Sequence, residues 1–288
     1  MAVLSIQSHV VFGCAGNTAA VFPMQRLGRE VWAINTVEFS NHTGFGEWKG
    51  KVLGAELTAE LVTGLEERGV LNRCEAVLSG YLGDAGVAMS IADAVKKVRS
   101  KSSGAVYACD PVMGDIGRGF YVKPDIPGIF KKELIPLADI VTPNRFELEA
   151  LTGINTQNIS DTLKAVNILH EMGPSVVLVT SYKEKEGELS MIASKKNEVY
   201  KITTPELPFK KIVAGTGDMT MAVFLSRYLE TKDLKKTLEL CAASVFGILE
   251  ASLRALDSKN EAPIDLKIID NQNELVFPSY SFKAEKIT

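Results

Sequence analysis

The sequence predicts an α/β fold built on a mostly parallel sheet with helices on both faces. Short apolar segments alternate with helical segments along most of the chain, and short connectors join them, which is typical of β–α–β units. The apolar segment 175–180 is continuous, as expected for a strand covered on both faces. Two later strand-like segments, 189–193 and 198–204, have no helix between them, so we expect an antiparallel hairpin at the sheet edge.

The first predicted strand covers 3–6 and ends at Gln7 and Ser8, and a glycine-containing loop then leads to a helix capped by Asn17. We expect further strands at 31–34, 76–79, 105–110, 139–142 and 175–180, and helices at 17–27, 58–68, 87–101, 218–230 and 234–256. No linker, repeat or low-complexity segment interrupts this pattern. We therefore expect a single domain over residues 1–288.

Composition and charge argue against several classes of protein. The chain has 288 residues, 46% hydrophobic and 23% charged, and can therefore bury a substantial core. Its net charge of −3 and its lack of a basic cluster argue against a nucleic-acid partner. The four cysteines are widely spaced and suggest neither a zinc site nor a disulfide framework. No apolar run approaches a membrane span and the N-terminus does not resemble a signal peptide, so we expect a cytoplasmic protein without a membrane partner.

The most informative motif is Gly215-Thr216-Gly217-Asp218, which directly precedes a segment predicted to be helical. Backbone N–H groups at a helix start are unpaired and can bind an anion, and glycine lets a phosphate approach them closely. Asp218 beside such a site could accept a proton from a substrate hydroxyl. Aspartate is also a common helix N-cap, and the tetrapeptide alone slightly favours that role.

Polar residues follow the predicted strands repeatedly. Ligands of open parallel sheets bind beyond the carboxyl ends of the strands. Capping of the following helix explains any one of these residues, but one ligand groove explains the whole set better. The set comprises Ser8, Asn35, Thr36, Gly80, Tyr81, Asp110, Thr142, Asn144, Thr180 and Ser181.

Three acidic residues near this groove have the chemistry of a cation site. Asp110 and Asp115 flank a Pro/Gly turn and could organise Mg²⁺, and Glu147 falls in a first helical turn that could face the same ion. The alternative is a solvated turn. Neither a P-loop motif nor a G-x-G-x-x-G motif with its acidic partner is present, which argues against both P-loop enzymes and Rossmann dehydrogenases.

In combination, these motifs resemble the pyridoxal kinases of the ribokinase-like superfamily. The resemblance runs in order from about residue 3 to 255 and is most particular in Ser5-Ile-Gln-Ser-His9 and Phe39-Ser-Asn-His-Thr-Gly44. Segments 79–81, 109–115, 142–147 and 215–218 extend it. It implies a three-layer ribokinase-like fold and ATP-dependent phosphorylation of the 5′-hydroxyl of pyridoxal, pyridoxine or pyridoxamine.

The resemblance also implies roles for individual residues. Asp218 matches the general base, and Gly215, Thr216 and Gly217 match the anion hole, with Thr216 and Gly217 also near ATP. The pyridine ring is held by Ser8, Thr43 and Tyr81 and lined by Val37 and Phe39. The nucleotide side comprises Asp110, Asp115, Thr142, Asn144, Glu147, Thr180 and Ser181, with Tyr121 of the flap 113–122 covering ATP. Asp110, Thr142 and Glu147 match the region of Mg²⁺ and a monovalent cation, K⁺ or Na⁺, and a homodimer is implied.

Two positions depart from the family pattern. Ala15 stands where the family often has a bulkier residue, and Thr180 stands where some members have lysine. Two alternatives remain open: a kinase of hydroxymethylpyrimidine or another small alcohol on the same scaffold, and a non-catalytic binder of pyridoxal phosphate or nucleotide. The segment 39–44 favours a pyridoxal kinase over a kinase of another small alcohol. The presence of Asp218 after Gly215 and Gly217 argues against a non-catalytic binder.

Overall fold

The computed structural model of the chain describes residues 1–211, 213–256 and 264–288. The strands are β1 (Ala2–Phe12), β2 (Glu30–Asn41), β3 (Gly50–Val52), β4 (Cys74–Ser79), β5 (Val106–Cys109), β6 (Gly114–Asp115), β7 (Gly119–Phe120), β8 (Ile140–Val141), β9 (Val176–Tyr182), β10 (Glu188–Lys195), β11 (Glu198–Pro205) and β12 (Glu285–Lys286). The helices are α1 (Asn17–Arg26), α2 (Gly54–Glu67), α3 (Ala85–Lys101), α4 (Ile126–Ile129), α5 (Arg145–Thr152), α6 (Ile159–Met172), α7 (Thr216–Thr231), α8 (Leu234–Arg254) and α9 (Asn273–Val276). A single 3₁₀ turn, Thr43–Phe45, matters for the site.

Ten of these strands form one sheet in the order β12-β11-β10-β9-β8-β5-β4-β1-β2-β3. The pairs from β9 to β2 are all parallel, whereas β10, β11 and β12 continue the sheet antiparallel at one edge and β3 does so at the other. The expected hairpin is β10–β11, and the two residues of β12 add a further strand outside it.

Helices cover both faces of this sheet. Helices α1, α7 and α8 pack on one face around buried residues such as Met24, Phe224 and Leu238. Helices α2, α3, α5 and α6 cover the other face, with Ile91 and Leu169 among the buried contacts. Because the strands between these layers are buried on both sides, their side chains are apolar on both faces, as in the continuous run of β9. No helix in the described ranges is long and apolar enough to cross a membrane.

The expected ends of the first two strands were wrong. β1 continues past Ser8 to Phe12 and β2 continues past Thr36 to Asn41, with a register irregularity between Gln7 and His9. The neighbouring β4 stops pairing with β1 at Ile6. The two strands therefore extend beyond the rest of the sheet as a ribbon, which pairs only with itself and with the short β3.

Three smaller expectations were also corrected. Asn17 is not an N-cap: it is the first residue of α1, and its buried side chain accepts from Ser5 Oγ and donates to the Ile34 carbonyl. Thr180 and Ser181 lie within β9 rather than after it. Helix α7 begins at Thr216 rather than at residue 218.

Candidate active site

The carboxyl ends of the parallel strands form the floor of the site. Backbone N–H groups just after each strand donate to the neighbouring strand: Asp110 to the Ser79 carbonyl at 2.9 Å, and Thr142 to the Cys109 carbonyl at 3.2 Å. The N–H of Thr180, near the end of β9, donates to the Pro143 carbonyl just after β8 at 3.1 Å. These bonds hold the expected polar residues at one level along the edge of the sheet.

Helix α7 begins above this floor with a tight turn. Gly215 is the N-cap residue and has a left-handed backbone with φ of 76°. A Cβ atom at this position would lie 2.4 Å from the carbonyl oxygen of Cys14, so only glycine fits here. The first amides of the helix, at Thr216 and Gly217, have no carbonyl one turn earlier to bind, and they form a site for an anion.

Asp218 lies in the first turn of α7, but it is not the capping residue. Its carboxylate accepts hydrogen bonds from the backbone N–H groups of Gly16 and of Asp218 itself, which lower its pKa. Burial in the cleft outweighs them and raises the pKa above its usual value. A partly exposed carboxylate with a raised pKa is suited to accept a proton near neutral pH.

Asp218 has Ser8 on one side and Asp110 on the other. A Cβ atom on Gly16 would lie 2.2 Å from the Ser8 carbonyl, so the residue that donates to Asp218 also touches Ser8. A Cβ atom on Gly217 would lie 3.8 Å from Asp110 Oδ2. The first turn of α7 therefore stands between the Ser8 side and the Asp110 side of the cleft.

Two buried carboxylates, Asp110 and Glu147, mark the side of the cleft below β5 and β8. Thr142 Oγ1 donates to Asp110 Oδ1 at 3.1 Å, and Glu147 accepts from the Met113 and Asn144 amides at 2.9 Å each. Burial is the main cause that raises the pKa of each carboxyl. Negative charge adds to it, from Asp218 for Asp110 and from Asp110 for Glu147. Within the described part of the chain, no basic side chain contributes to the pKa of either carboxyl.

Asn144 joins this carboxylate pair to the segment 113–122. It is the N-cap of α5 and forms a capping box with Glu147, each side chain accepting from the other residue's backbone N–H. Its Nδ2 donates to the Gly114 carbonyl at 2.8 Å and to Asp115 Oδ1 at 3.1 Å. The hairpin β6–β7 is thereby tied to the start of α5.

Three of the residues expected to bind the nucleotide border an open cleft of about 310 Å³. Asp115, Asn144 and Ser181 line it, as do Ile116, Arg118 and Arg145, which the sequence analysis did not single out. Tyr121 lies beside it, and its pKa is raised by burial and by the charges of Glu147, Asp115, Asp110 and Asp218. The phenol therefore stands close to the whole acidic group.

The opposite side of the cleft is apolar. Val10, Ala15, Val37 and Phe39 form a small buried cluster, and Tyr81 packs against it. The Phe39 ring also contacts Trp48, with ring centroids 4.0 Å apart. Burial raises the pKa of Tyr81, so its hydroxyl is neutral and able to hydrogen-bond. This surface joins three of the residues expected to hold a flat ring.

Thr43 lies in the short loop that follows β2. It begins the turn Thr43–Phe45, which His42 caps by accepting from the Gly44 N–H through Nδ1 at 3.1 Å. A Cβ atom on Gly13 would lie 3.5 Å from the Phe45 ring and 3.8 Å from His42 Cβ. The turn therefore packs on the glycine loop that precedes α1.

A partly buried polar network that starts at the first residue of α1 was not expected from the sequence. Asn17 Nδ2 donates to Asn35 Oδ1, Asn35 Nδ2 donates to Glu38 Oε2, and Glu38 Oε1 lies 2.7 Å from His9 Nδ1. Only the pairing of β1 with β2 brings these residues together. Asp265 was also missed, and it accepts from the Cys14 N–H 251 residues away in sequence.

The donor set of the acidic side suits a hard divalent cation. Asp110, Thr142 and Glu147 offer oxygen atoms, and neither carboxylate has an ion pair with a described basic residue. No group of three or more acidic, histidine or cysteine side chains in the described ranges could hold a metal by itself. Mg²⁺ commonly uses one or two carboxylates and takes its other ligands from water and phosphate, so the residues present fit this ion.

Comparison with protein families matches residues 56–265 to the family described as Phosphomethylpyrimidine kinase. A protein from Rubrobacter xylanophilus named pyridoxal kinase PdxY is 45% identical over 289 residues, 99% of this chain and 97% of that protein. Another pyridoxal kinase PdxY, from Granulibacter bethesdensis, is 44% identical and covers 99% of both chains.

Solved structures are similar over the same length. The pyridoxal kinase from Leishmania donovani in complex with ADP and pyridoxamine has a TM-score of 0.93 and 28% identity, covering 99% of both chains. The pyridoxal kinase from Entamoeba histolytica has a TM-score of 0.89 and 27% identity, again covering 99% of both chains. The likeness therefore includes both sides of the cleft.

Proposed function

This chain belongs to the pyridoxal kinase family, and we propose that Asp218 is the general base of the reaction in its cleft. The reaction is ATP-dependent phosphorylation of B6 vitamers, and the fold is the ribokinase-like one expected from the sequence. One observation supports the assignment most strongly. The Asp218 carboxylate lies beside the free amides at the start of α7, between the Ser8 side and the Asp110 side of the cleft.

In the proposed reaction, Asp218 accepts the proton of the substrate's 5′-hydroxyl group. At the same time, the oxygen of that hydroxyl group forms a bond to the γ-phosphorus of ATP. The bond from that phosphorus to the bridging oxygen breaks and ADP leaves. The amides of Gly215, Thr216 and Gly217 stabilise the charge on the transferred group. Positioning and charge neutralisation supply most of the acceleration of such a reaction, so no covalent nucleophile is required.

The apolar side of the cleft is proposed to hold the vitamer. Val37 and Phe39 supply a flat buried surface for the pyridine ring, and Tyr81 packs against the same cluster. Ser8 and Thr43 supply hydroxyl groups for the polar substituents of the ring. Ala15 belongs to this cluster, and its small side chain leaves space where the family often has a larger residue.

The acidic side is proposed to bind ATP and its cations. Asp115, Asn144 and Ser181 line the open cleft, Thr180 lies within the adjoining β9, and Tyr121 covers the nucleotide. Asp110, Thr142 and Glu147 would hold Mg²⁺ through oxygen atoms and water, and a monovalent cation, K⁺ or Na⁺, is proposed for the same region. When bound, Mg²⁺ neutralises phosphate charge.

The expectations of a homodimer, a cytoplasmic location and a single domain over residues 1–288 remain predictions. The resemblance to pyridoxal kinases supports the first, and the requirement for ATP supports the second. Analytical ultracentrifugation of the purified chain would test the homodimer directly.

The activity is tested by coupled ADP release with pyridoxal, pyridoxine, pyridoxamine and hydroxymethylpyrimidine, each with and without Mg²⁺ and K⁺. Turnover of the B6 vitamers in preference to hydroxymethylpyrimidine is expected. The matched family model is described as a phosphomethylpyrimidine kinase, which keeps the pyrimidine as the second candidate substrate. A clear preference for the pyrimidine would replace the proposed substrate.

The role of Asp218 is tested by Asp218→Ala. Turnover should fall by roughly 10²-fold or more, as for loss of a general base, while ATP and pyridoxal bind nearly normally. The matched control is Asp233→Ala, because Asp233 is a true N-cap that accepts from the Lys236 N–H at 2.8 Å. The control should lose about 1 kcal/mol of stability and keep its turnover. If Asp218→Ala behaves like the control, Asp218 has only a structural role.

A further inference from the structure

The tip of the β6–β7 hairpin carries an arginine that no role above uses. Arg118 lies between Gly117 and Gly119, whose φ angles are +83° and +72°, and its N–H donates to the Asp115 carbonyl at 3.2 Å. No atom approaches within 4 Å of a Cβ built on either glycine. The tight turn therefore presents the Arg118 side chain on a loop with free space around it.

The base of the hairpin is fixed, although its tip is open. The Phe120 ring contacts the Phe146 ring of α5 edge to face, with centroids 4.8 Å apart. The Tyr121 N–H donates to the Met113 carbonyl at 3.1 Å. Arg118 is thus held at a defined place along the cleft by contacts that do not involve its own side chain.

The Arg118 guanidinium is preorganised and has unused donors. It lies 5.3 Å from the centre of the Tyr121 ring, and this ring is its one side-chain partner within the described ranges. Arg145, the other arginine of the cleft, instead directs Nε to Glu149 Oε1 at 3.2 Å. A guanidinium carries five N–H donors in a planar fork that matches phosphate oxygens.

The charge of Arg118 acts on both ligand sides. It lowers the pKa of Asp115 on the nucleotide side, against the larger effect of burial. It also lowers the pKa of His42 beside the Thr43 turn, where burial is again the larger cause. The Arg118 side chain also lines the open cleft together with Asp115, Asn144 and Ser181, the residues expected to bind the nucleotide.

We propose that Arg118 binds the γ-phosphoryl group of ATP and makes the cleft prefer a nucleoside triphosphate to a diphosphate. This inference rests on the proposed function. The site otherwise presents the carboxylates of Asp110, Asp115, Glu147 and Asp218 to a highly charged anion, and β9 contributes only the neutral Thr180 and Ser181. The Arg118 guanidinium on the hairpin offsets that repulsion when the triphosphate is bound, and a diphosphate, which lacks the γ-phosphoryl group, does not make this contact.

The test is calorimetric binding of the non-hydrolysable β,γ-imido analogue of ATP, and of ADP, to Arg118→Gln and Arg118→Lys. Arg118→Gln should weaken binding of the analogue by about 10-fold or more while ADP affinity changes by less than about 2-fold, as for loss of a charge-assisted hydrogen bond. Arg118→Lys should recover part of that loss. The matched control is Arg68→Gln, which removes one exposed positive charge after α2 and should bind both nucleotides like the wild type.

Steady-state kinetics supply a second readout. Arg118→Gln should raise the KM for ATP and lower kcat without changing the KM for pyridoxal. Equal weakening of the analogue and ADP, or no change in either, would overturn the assignment of Arg118. Wild-type protein that binds neither nucleotide and phosphorylates no vitamer would instead overturn the proposed function.

Discussion

The two sides of the cleft are positioned by different forces. On the acidic side, Asp110, Asn144 and Glu147 are held by hydrogen bonds to backbone N–H groups, to a carbonyl and to Thr142. On the ring-binding side, Phe39 and Tyr81 are held by apolar packing. Hydrogen bonds fix a side chain in one place, whereas a packed surface tolerates small changes of shape.

This difference separates the two functions of the site. The acidic side collects buried like charges, and their ionisation destabilises the fold. The ring-binding side carries no such cost, and its polar contacts with substrate each contribute a modest free energy. Changes near the phosphates should therefore alter turnover and stability strongly, and changes near the ring should alter affinity in small steps.

The largest effect is expected for Gly215→Ala at the start of α7. A Cβ atom there would lie 2.4 Å from the Cys14 carbonyl oxygen, so the turn must shift and the anion hole with it. We expect turnover to fall by about 10²-fold, as for loss of an oxyanion donor. The free energy of unfolding, measured with urea, should fall by about 2–5 kcal/mol, combining backbone strain with overpacking.

Gly153→Ala is the matched control for this substitution. Gly153 and Gly215 have the same backbone angles, φ 76° and ψ 5°, but no atom lies within 4 Å of a Cβ built on Gly153. Gly153→Ala should lower the free energy of unfolding by only about 1–2 kcal/mol, the strain of placing alanine in a left-handed backbone conformation, and should leave turnover unchanged. Equal effects of the two substitutions would show that the clash at Gly215 is unimportant.

A smaller effect is expected for Asp110→Asn, and this substitution should raise the stability of the protein, whereas Gly215→Ala should lower it. Burial and the Asp218 charge raise the pKa of Asp110 in the folded protein, so ionisation of this carboxyl destabilises the fold. Below the ordinary pKa of aspartate the variant and the wild type should be equally stable. As the pH rises above it, the ligand-free variant should become more stable, by roughly 2–4 °C in Tm at pH 7, or ~1 kcal/mol.

Scanning calorimetry between pH 4 and 8 checks this prediction, with Asp270→Asn as an exposed control that should show no such trend. Turnover of Asp110→Asn should fall, because the nucleotide side loses a cation ligand. A variant that is less stable than the wild type at pH 7 would mean that Asp110 is already compensated in the ligand-free protein.

The smallest effect is expected for Thr43→Val on the ring-binding side. Loss of one neutral hydroxyl should weaken pyridoxal binding about fivefold, equivalent to ~1 kcal/mol, and leave ATP binding almost unchanged. Calorimetric titration of the variant with each ligand measures both effects. A larger loss for ATP than for pyridoxal would show that the two sides of the cleft have been assigned in reverse.

Local patterns predicted most of the fold. The parallel strands, the β10–β11 hairpin and the major helices α2, α3, α7 and α8 were expected near their observed positions, because apolar periodicity and glycine turns are local signals. The ends of β1 and β2 were not predicted correctly. The two strands continue because they pair with each other as far as Phe12 and Asn41, and no local signal in the sequence marks that pairing. The hairpin β6–β7 was not expected as an element.

The sequence by itself determined the chemistry that is available: an aspartate after two glycines, three further acidic residues and a set of hydroxyl groups at strand ends. Only the tertiary structure decided their geometry. Gly16 reaches both Ser8 and Asp218, and Arg118 comes to line the same cleft as Asp115, Asn144 and Ser181. The physical reason is that side-chain type and local turn are written in neighbouring residues, whereas distances across the cleft depend on how the whole sheet packs.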